Sequence, residues 1–156
     1  MTIIISLLVI VCLVILWFWS TSPNRQIKKI LEIMAELGSS PPGESLIAKT
    51  LQSQRLAGYF SEDAFIEWPD DEVIPAGRWT GRDNISQQVL AAKNSAIYQV
   101  SMAYSTVESK RRNRAGKAGF TLVVREGLNT WAWLAKAQLL KNGRQWSVIQ
   151  LVFEPI

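Results

Sequence analysis

The stretch from Tyr59 to Asp83, YFSEDAFIEWPDDEVIPAGRWTGRD, marks the change from helical to extended structure along this chain. Before it, apolar residues recur at the spacing of amphipathic helices, and after it they alternate with polar residues, as in strands buried on one face. Seven of the 13 acidic residues lie in this stretch. We therefore expect any catalytic or binding site to border it.

The helical spacing predicts three helices, at Arg25–Leu37, about Glu44–Tyr59 and about Asp83–Lys93. In the second helix we expect four apolar residues to face the core, namely Leu46, Ile47, Leu51 and Ala57. Four long alternating stretches follow, and the last turn contains Asn142-Gly143, a strong hairpin signal. Consecutive hairpins indicate an antiparallel meander, so the fold class predicted for the domain is α+β.

The composition excludes several classes of enzyme. The 156 residues include no histidine, which removes the commonest general base and the commonest ligand of transition metals, so no metal site is expected. The single cysteine, Cys12, cannot form an intramolecular disulfide. No cofactor motif is present, and a net charge of +4 is weak for a nucleic-acid-binding protein. We expect neither a cofactor nor a nucleic-acid partner.

The first twenty residues contain an apolar run suited to a bilayer. Thr2–Trp19 lacks charged residues, glycine and proline, and as a helix it would span about 27 Å at ~1.5 Å per residue. No basic residue precedes it and bulky aromatic residues end it, which favours an uncleaved anchor over a signal peptide. The residues expected at the membrane interface are Trp17, Trp19, Arg25, Lys28 and Lys29.

These features predict a single-pass membrane protein. The predicted boundaries are 1–20 for the transmembrane anchor, 21–24 for a short linker and 25–156 for the domain. Because basic residues follow the anchor and none precedes it, the domain is expected on the cytoplasmic side. The short linker would hold the domain against the bilayer, which is then its first partner.

The order of motifs resembles that of the NTF2-like superfamily, which includes ketosteroid isomerases and SnoaL-type cyclases. The resemblance lies in Phe60-x-x-Asp63-Ala64 entering a strand, Pro69 after it, and Gly77–Ile85 leading into a helix. It implies a cone, in which a bent antiparallel sheet wraps helices and leaves an apolar pocket open at one end. Pocket-lining positions expected from it are Tyr59, Trp68, Trp79, Tyr98, Tyr104, Trp131 and Trp133.

The same resemblance argues against isomerase chemistry. The family's general base precedes the proline after the first strand, and here that position is Trp68. The second acid of the family has no counterpart in the stretch TWAWLAKAQLL, residues 130–140. An enzyme would need a carboxylate tuned by burial and a phenol donor; the candidates are Glu67, Asp70, Asp71, Tyr98 and Tyr104. A solvated acidic loop and core tyrosines are the favoured alternatives.

Two aromatic residues and one basic loop have more than one interpretation. Trp131 and Trp133 share one face of a strand and would either fill the family's pocket or form an outward patch for a protein partner. The basic loop comprises Lys110, Arg111, Arg112, Arg114 and Lys117. It is a solvated hairpin tip, a contact to anionic lipid headgroups, or a docking site for an acidic partner or RNA.

The function expected from these features is that of a non-catalytic accessory or scaffold subunit of a larger membrane complex, acting through its NTF2-like domain. Other membrane-complex subunits are its expected partners, and the outer sheet face is a candidate surface for a homodimer. The alternative is a membrane-tethered protein that binds small hydrophobic ligands, or an isomerase- or dehydratase-like enzyme using Asp70 or Asp71. An open pocket containing an acid would favour the alternative.

Overall fold

The computed structural model describes residues 10–16, 22–70, 75–110 and 114–156. Several sequence predictions fall outside these residues, and so does the side chain of Tyr104; the residues concerned are Trp17, Trp19, Asp71, Arg111 and Arg112. Residues 10–16 are helical and exposed. No helix within the described residues is long and apolar enough to span a membrane, so the predicted anchor remains a prediction.

Three helices form one layer of the domain: α1 at Pro23–Gly38, α2 at Leu46–Ala57 and α3 at Arg82–Ser95. Local chemistry explains where they begin. Pro23 occupies the first turn of α1, where its missing N–H is not needed. The hydroxyl of Ser45 accepts a hydrogen bond from the Ala48 N–H at the start of α2. Gly81, with φ of 89°, precedes α3.

Six strands form a single sheet: β1 Phe60–Trp68, β2 Gly77–Thr80, β3 Gln99–Lys110, β4 Ala115–Glu126, β5 Asn129–Asn142 and β6 Gln145–Pro155. Their order is β2-β1-β6-β5-β4-β3. The predicted meander is present as β3 to β6, with antiparallel pairing throughout. The opening stretch supplies β1 and β2, and β1 joins the sheet in parallel with β6.

A bulge in β1 connects the sheet to α3. The register between β1 and β6 shifts between Phe60 and Phe65. The Arg82 guanidinium donates two hydrogen bonds, of 2.9 and 2.8 Å, to the Phe60 carbonyl oxygen. The Gly81 N–H donates to the Ala64 carbonyl oxygen at 2.8 Å. These bonds hold the start of α3 against the inner face of β1.

The predicted orientation of α2 is wrong for three of its four apolar residues. Leu46, Ile47 and Leu51 are 64%, 74% and 55% exposed, whereas Ala57 is buried. The inward face of α2 instead carries residues at i, i+3, i+4 and i+7, namely Lys49, Gln52, Ser53 and Leu56. The cause lies on α3, where the fully buried Lys93 ammonium donates a hydrogen bond to Gln52 of α2, and the Lys93 backbone carbonyl oxygen accepts one from Lys49.

Candidate ligand cavity

An apolar cavity of about 570 Å³ lies between the helices and the inner face of the sheet. Its walls come from the second half of α1, from α3, and from inward residues of every strand. The lining is almost entirely apolar. The volume falls within the ~300–1,000 Å³ typical of small-molecule sites.

The sizes of inward residues along β4 explain why the cavity is at one end. The inward face of β4 begins with small residues, Gly116 and Ala118, and continues with Phe120 and Leu122. Gly116 lets α1 approach so closely that a Cβ there would lie 2.5 Å from Cδ1 of Ile27. Farther along, Phe120 and Leu122 line the cavity.

Trp68, which the sequence resemblance aligns with a general base, forms part of the cavity wall. Its indole N–H donates to the Pro75 carbonyl oxygen at 2.9 Å. Its ring meets that of Trp79 edge-on, with 4.8 Å between centroids. It also lies over Gly77, its partner across the hairpin, where a Cβ would come within 2.2 Å of the ring. Trp68 is therefore fixed in place by three neighbours.

Trp131 and Trp133 both line the cavity, and they leave it open. The interpretation that they fill the pocket is wrong, because they form its wall at the end of β5 while the space between them and the helices stays empty. The outward interpretation is also wrong, because the outer face of this part of β5 carries exposed Ala132 and Leu134.

Tyr98 lies where the apolar cavity meets a second, more polar groove, and it lines both. Burial raises the pKa of the Tyr98 phenol to about 12, and the negative charge of Glu44 adds to the shift. The phenol is therefore neutral at physiological pH and carries a proton that it can donate. Tyr98 is one of the few lining residues with a polar group that can form a directional hydrogen bond.

A buried polar cluster supports the wall behind Tyr98. The Lys93 ammonium donates hydrogen bonds to the Ser39 carbonyl oxygen and to Gln52 Oε1, and it forms an ion pair with Glu44 at 3.6 Å. Burial lowers the pKa of Lys93, although the charge of Glu44 opposes the shift. Because Nζ already has these partners, the cluster is best explained as a support that joins α3 to the 39–45 loop.

The predicted acidic candidates are not assembled in the cavity. Glu67 lies beside Arg78 at 3.6 Å, and neither lines the cavity. Asp70 Oδ1 accepts a hydrogen bond from the Ala76 N–H at 3.2 Å and so stabilises the loop after β1. Asp71 and the side chain of Tyr104 are outside the described residues. Within the described residues, no cluster of metal-ligating side chains is present.

One acid that borders the cavity was missed from the sequence. Glu126 lines it from the end of β4 and is exposed. The alternation of inward residues along β4 could have identified it, because Glu126 continues the series through Leu122 and Val124. Conversely, Tyr59 was predicted to line the pocket and does not; it packs against the core beside Val148.

The comparisons with known proteins agree with this geometry. No family profile and no curated protein matches the chain. Among solved structures, Aln2 from Streptomyces superposes with a TM-score of 0.66 at 12% identity, covering 86% of this chain and 92% of that chain. A putative scytalone dehydratase from Novosphingobium aromaticivorans gives a TM-score of 0.64 at 11% identity, covering 85% and 83%.

An NTF2-like protein of unknown function from Pseudomonas putida superposes with a TM-score of 0.62 at 13% identity, covering 84% of each chain. The fold is NTF2-like. The sequence prediction of an NTF2-like cone is thereby confirmed for the domain. At identities of 11–13%, these similarities establish the fold alone. The NTF2-like fold by itself does not assign an activity.

Proposed function

We propose that this protein binds a small, uncharged, predominantly apolar molecule in the cone cavity and does not transform it. The main support for this proposal is the open cavity of about 570 Å³ with its apolar lining. It favours the alternative function expected from the sequence, in its ligand-binding form. The enzymatic form is disfavoured because Trp68 replaces the family's base and the acids Glu67 and Asp70 lie elsewhere. The one described acid that lines the cavity, Glu126, is exposed to solvent and so lacks the burial that the enzymatic form requires.

The lining also suggests what the ligand looks like. Burying a charge against apolar walls costs far more than burying hydrocarbon, so the buried part of the ligand should be neutral. The phenol of Tyr98 can donate one hydrogen bond, which suits a single carbonyl, ether or hydroxyl oxygen. A molecule of about 20 non-hydrogen atoms at ~0.3 kcal/mol each would bind with a Kd of tens of micromolar.

A neutral solvatochromic dye such as Nile red tests this proposal. We expect saturable binding by the full chain in mild detergent and a blue-shifted emission. Ala92 lines the cavity from α3, so Ala92→Phe should occupy the space and weaken binding by at least about tenfold. Ala132→Phe is the matched control, because it adds the same ring on the outer sheet face.

Two outcomes would contradict ligand binding in the cavity. Equal dye affinity of the Ala92→Phe and Ala132→Phe proteins would place the dye elsewhere. A large loss of binding in Asp70→Asn would show that an acid contributes after all, since the amide side chain keeps an oxygen for the Ala76 N–H. We expect the affinity of Asp70→Asn to stay within about twofold of that of the unaltered protein.

We further propose that the protein is held at a membrane by residues 2–19. Six large apolar side chains in the described part of this segment are 47–60% exposed, which disfavours water as their environment; they are Ile10, Val11, Leu13, Val14, Ile15 and Leu16. Flotation of the full chain with lipid vesicles tests the tether. Recovery of the chain in the lipid-free fraction would contradict it.

An accessory-subunit role remains a second candidate, favoured by the exposed apolar face of α2. Leu46, Ile47 and Leu51 lie within two turns and are all more than half exposed. A stable partner that copurifies in mild detergent, and is lost when these three residues are changed to serine, would support this role. The homodimer predicted through the outer sheet face also remains a prediction, to be checked by the mass of the purified chain.

A further inference from the structure

The two ends of the cone differ in what they present to the surroundings. The open end is the end of the cavity, bordered by Trp68, Glu126 and Trp131. The closed end is formed, within the described residues, by 22–31, 108–110, 114–117 and 139–146. On β4 alone, Gly116 and Glu126 lie ten residues apart, which is up to about 34 Å at ~3.4 Å per residue.

The start of α1 is fixed to the closed end. The Ser109 hydroxyl donates to Asn24 Oδ1 at 2.5 Å. The Trp146 indole N–H donates to Gln26 Oε1 at 3.3 Å. Ile27 is fully buried against Gly116. The apolar segment that precedes Pro23 therefore enters the domain at the closed end, next to the end of β3, the start of β4 and the β5–β6 turn.

Basic residues converge on the same end. The described segments of the closed end contain eight of the 17 basic residues of the chain and one of its 13 acidic residues, Glu108. In the described part, Lys29, Lys110, Arg114 and Arg144 are exposed. The rest of the chain has more acidic than basic residues. The protein is thus strongly polarised, with its positive end where the apolar segment enters.

We propose that the closed end docks on a bilayer surface that contains anionic lipids, so that the cavity opens away from the membrane. This inference rests on the membrane tether of the proposed function but not on ligand binding. Exposed lysine and arginine side chains beside an apolar segment are attracted to anionic headgroups. The tether brings the basic turns to the headgroups, and their charge fixes the orientation of the domain.

Energy transfer to headgroup-labelled lipids measures this orientation in the full chain. A donor is attached to the thiol of Asn142→Cys, at the closed end, or of Leu128→Cys, at the open end, in a Cys12→Ser background. Asn142 and Leu128 are both exposed. In vesicles containing phosphatidylglycerol, transfer from position 142 should exceed that from 128 at least about twofold, since the sites are up to about 48 Å apart along β5 at ~3.4 Å per residue.

Two variants with the same change in net charge separate docking from general electrostatics. Lys110→Glu with Arg144→Glu should reduce the difference between the two labels. Arg55→Glu with Arg125→Glu should leave it intact, because these exposed residues lie outside the closed end. Raising the ionic strength to about 1 M, where the Debye length is ~3 Å, should also reduce the difference in the unaltered protein.

Several results would overturn the orientation. Equal transfer from both positions while the chain floats with vesicles would leave the tether intact and remove the docking. Stronger transfer from position 128 would reverse the orientation and leave the closed end for an acidic protein partner. An equal effect of the two charge variants would exclude a localised contact. Failure to float would overturn the tether itself, whatever the dye experiments show.

Discussion

The closed end and the open end of the cone use the same sheet but pack it in different ways. At the closed end, Ile27, Leu139 and Val148 are at most 1% exposed, and α1 lies directly on small residues of β4. At the open end, large side chains hold a wall around a cavity of about 570 Å³. The closed end therefore supplies stability, while the open end gives up packing contacts to keep a space.

Two leucine-to-alanine changes test this difference in packing between the two ends most directly. Leu139→Ala, at the closed end, should lower the free energy of unfolding by about 3–5 kcal/mol, because a fully packed site cannot collapse around the missing atoms. Leu122→Ala enlarges an existing cavity and should cost only about 1–2 kcal/mol. Urea denaturation monitored by circular dichroism provides both values. Equal costs would mean that the two ends are packed alike.

A substitution at Gly77 tests how the open end is held in shape. In Gly77→Ala the new Cβ would collide with the Trp68 ring, so we expect a loss of about 1–3 kcal/mol and weaker dye binding. In a Trp68→Ala background the same change should cost little. Gly119→Ala, where the nearest atom to a new Cβ is 3.3 Å away, is the control. An unchanged penalty in the Trp68→Ala background would contradict the role of Trp68 as the obstacle.

Much of the fold could be predicted from the sequence. The helix predicted at Arg25–Leu37 lies within two residues of α1, and the alternation of apolar residues located β3 to β6. These elements have regular patterns because each buries one face. The orientation of α2 was wrong because its partner Lys93 lies about 40 residues farther along the chain, and no local pattern reports a buried ammonium on another helix.

The candidate site was less predictable than the fold. Alternation along β5 placed Trp131 and Trp133 on one face, but it does not report how far the helices stand from that face. That distance depends on Gly116 and Ala118, which draw α1 toward the closed end of β4. Whether a pocket is open or filled thus follows from the sizes of residues on three elements together. Glu126, by contrast, could have been predicted to line the cavity from the alternation of inward residues along β4.

The smallest effect concerns pH and Tyr98 at the boundary of the open end. Its pKa is about 12 in the folded protein and about 10 in an unfolded chain, so the unfolded state loses its proton first. The resulting stability is fully present below pH 10 and is lost as the pH rises toward 12. By linkage, and allowing for screening of this partly exposed group by solvent, the loss at pH 11 relative to pH 9 is on the order of 1 kcal/mol.

Tyr98→Phe removes this titration, so the difference in unfolding free energy between the two proteins should shift by that amount between pH 9 and 11. Taking the difference is necessary because Lys93 works in the opposite direction. Its pKa is lowered by burial, so its contribution to stability increases as the pH rises toward 10.5. The Lys93 contribution is common to both proteins and cancels.

A difference that stays constant with pH would show that the phenol is as well solvated in the folded protein as in the unfolded chain. Tyr98 would then be no part of a dry cavity wall, and the single hydrogen bond proposed for the ligand would have to come from elsewhere.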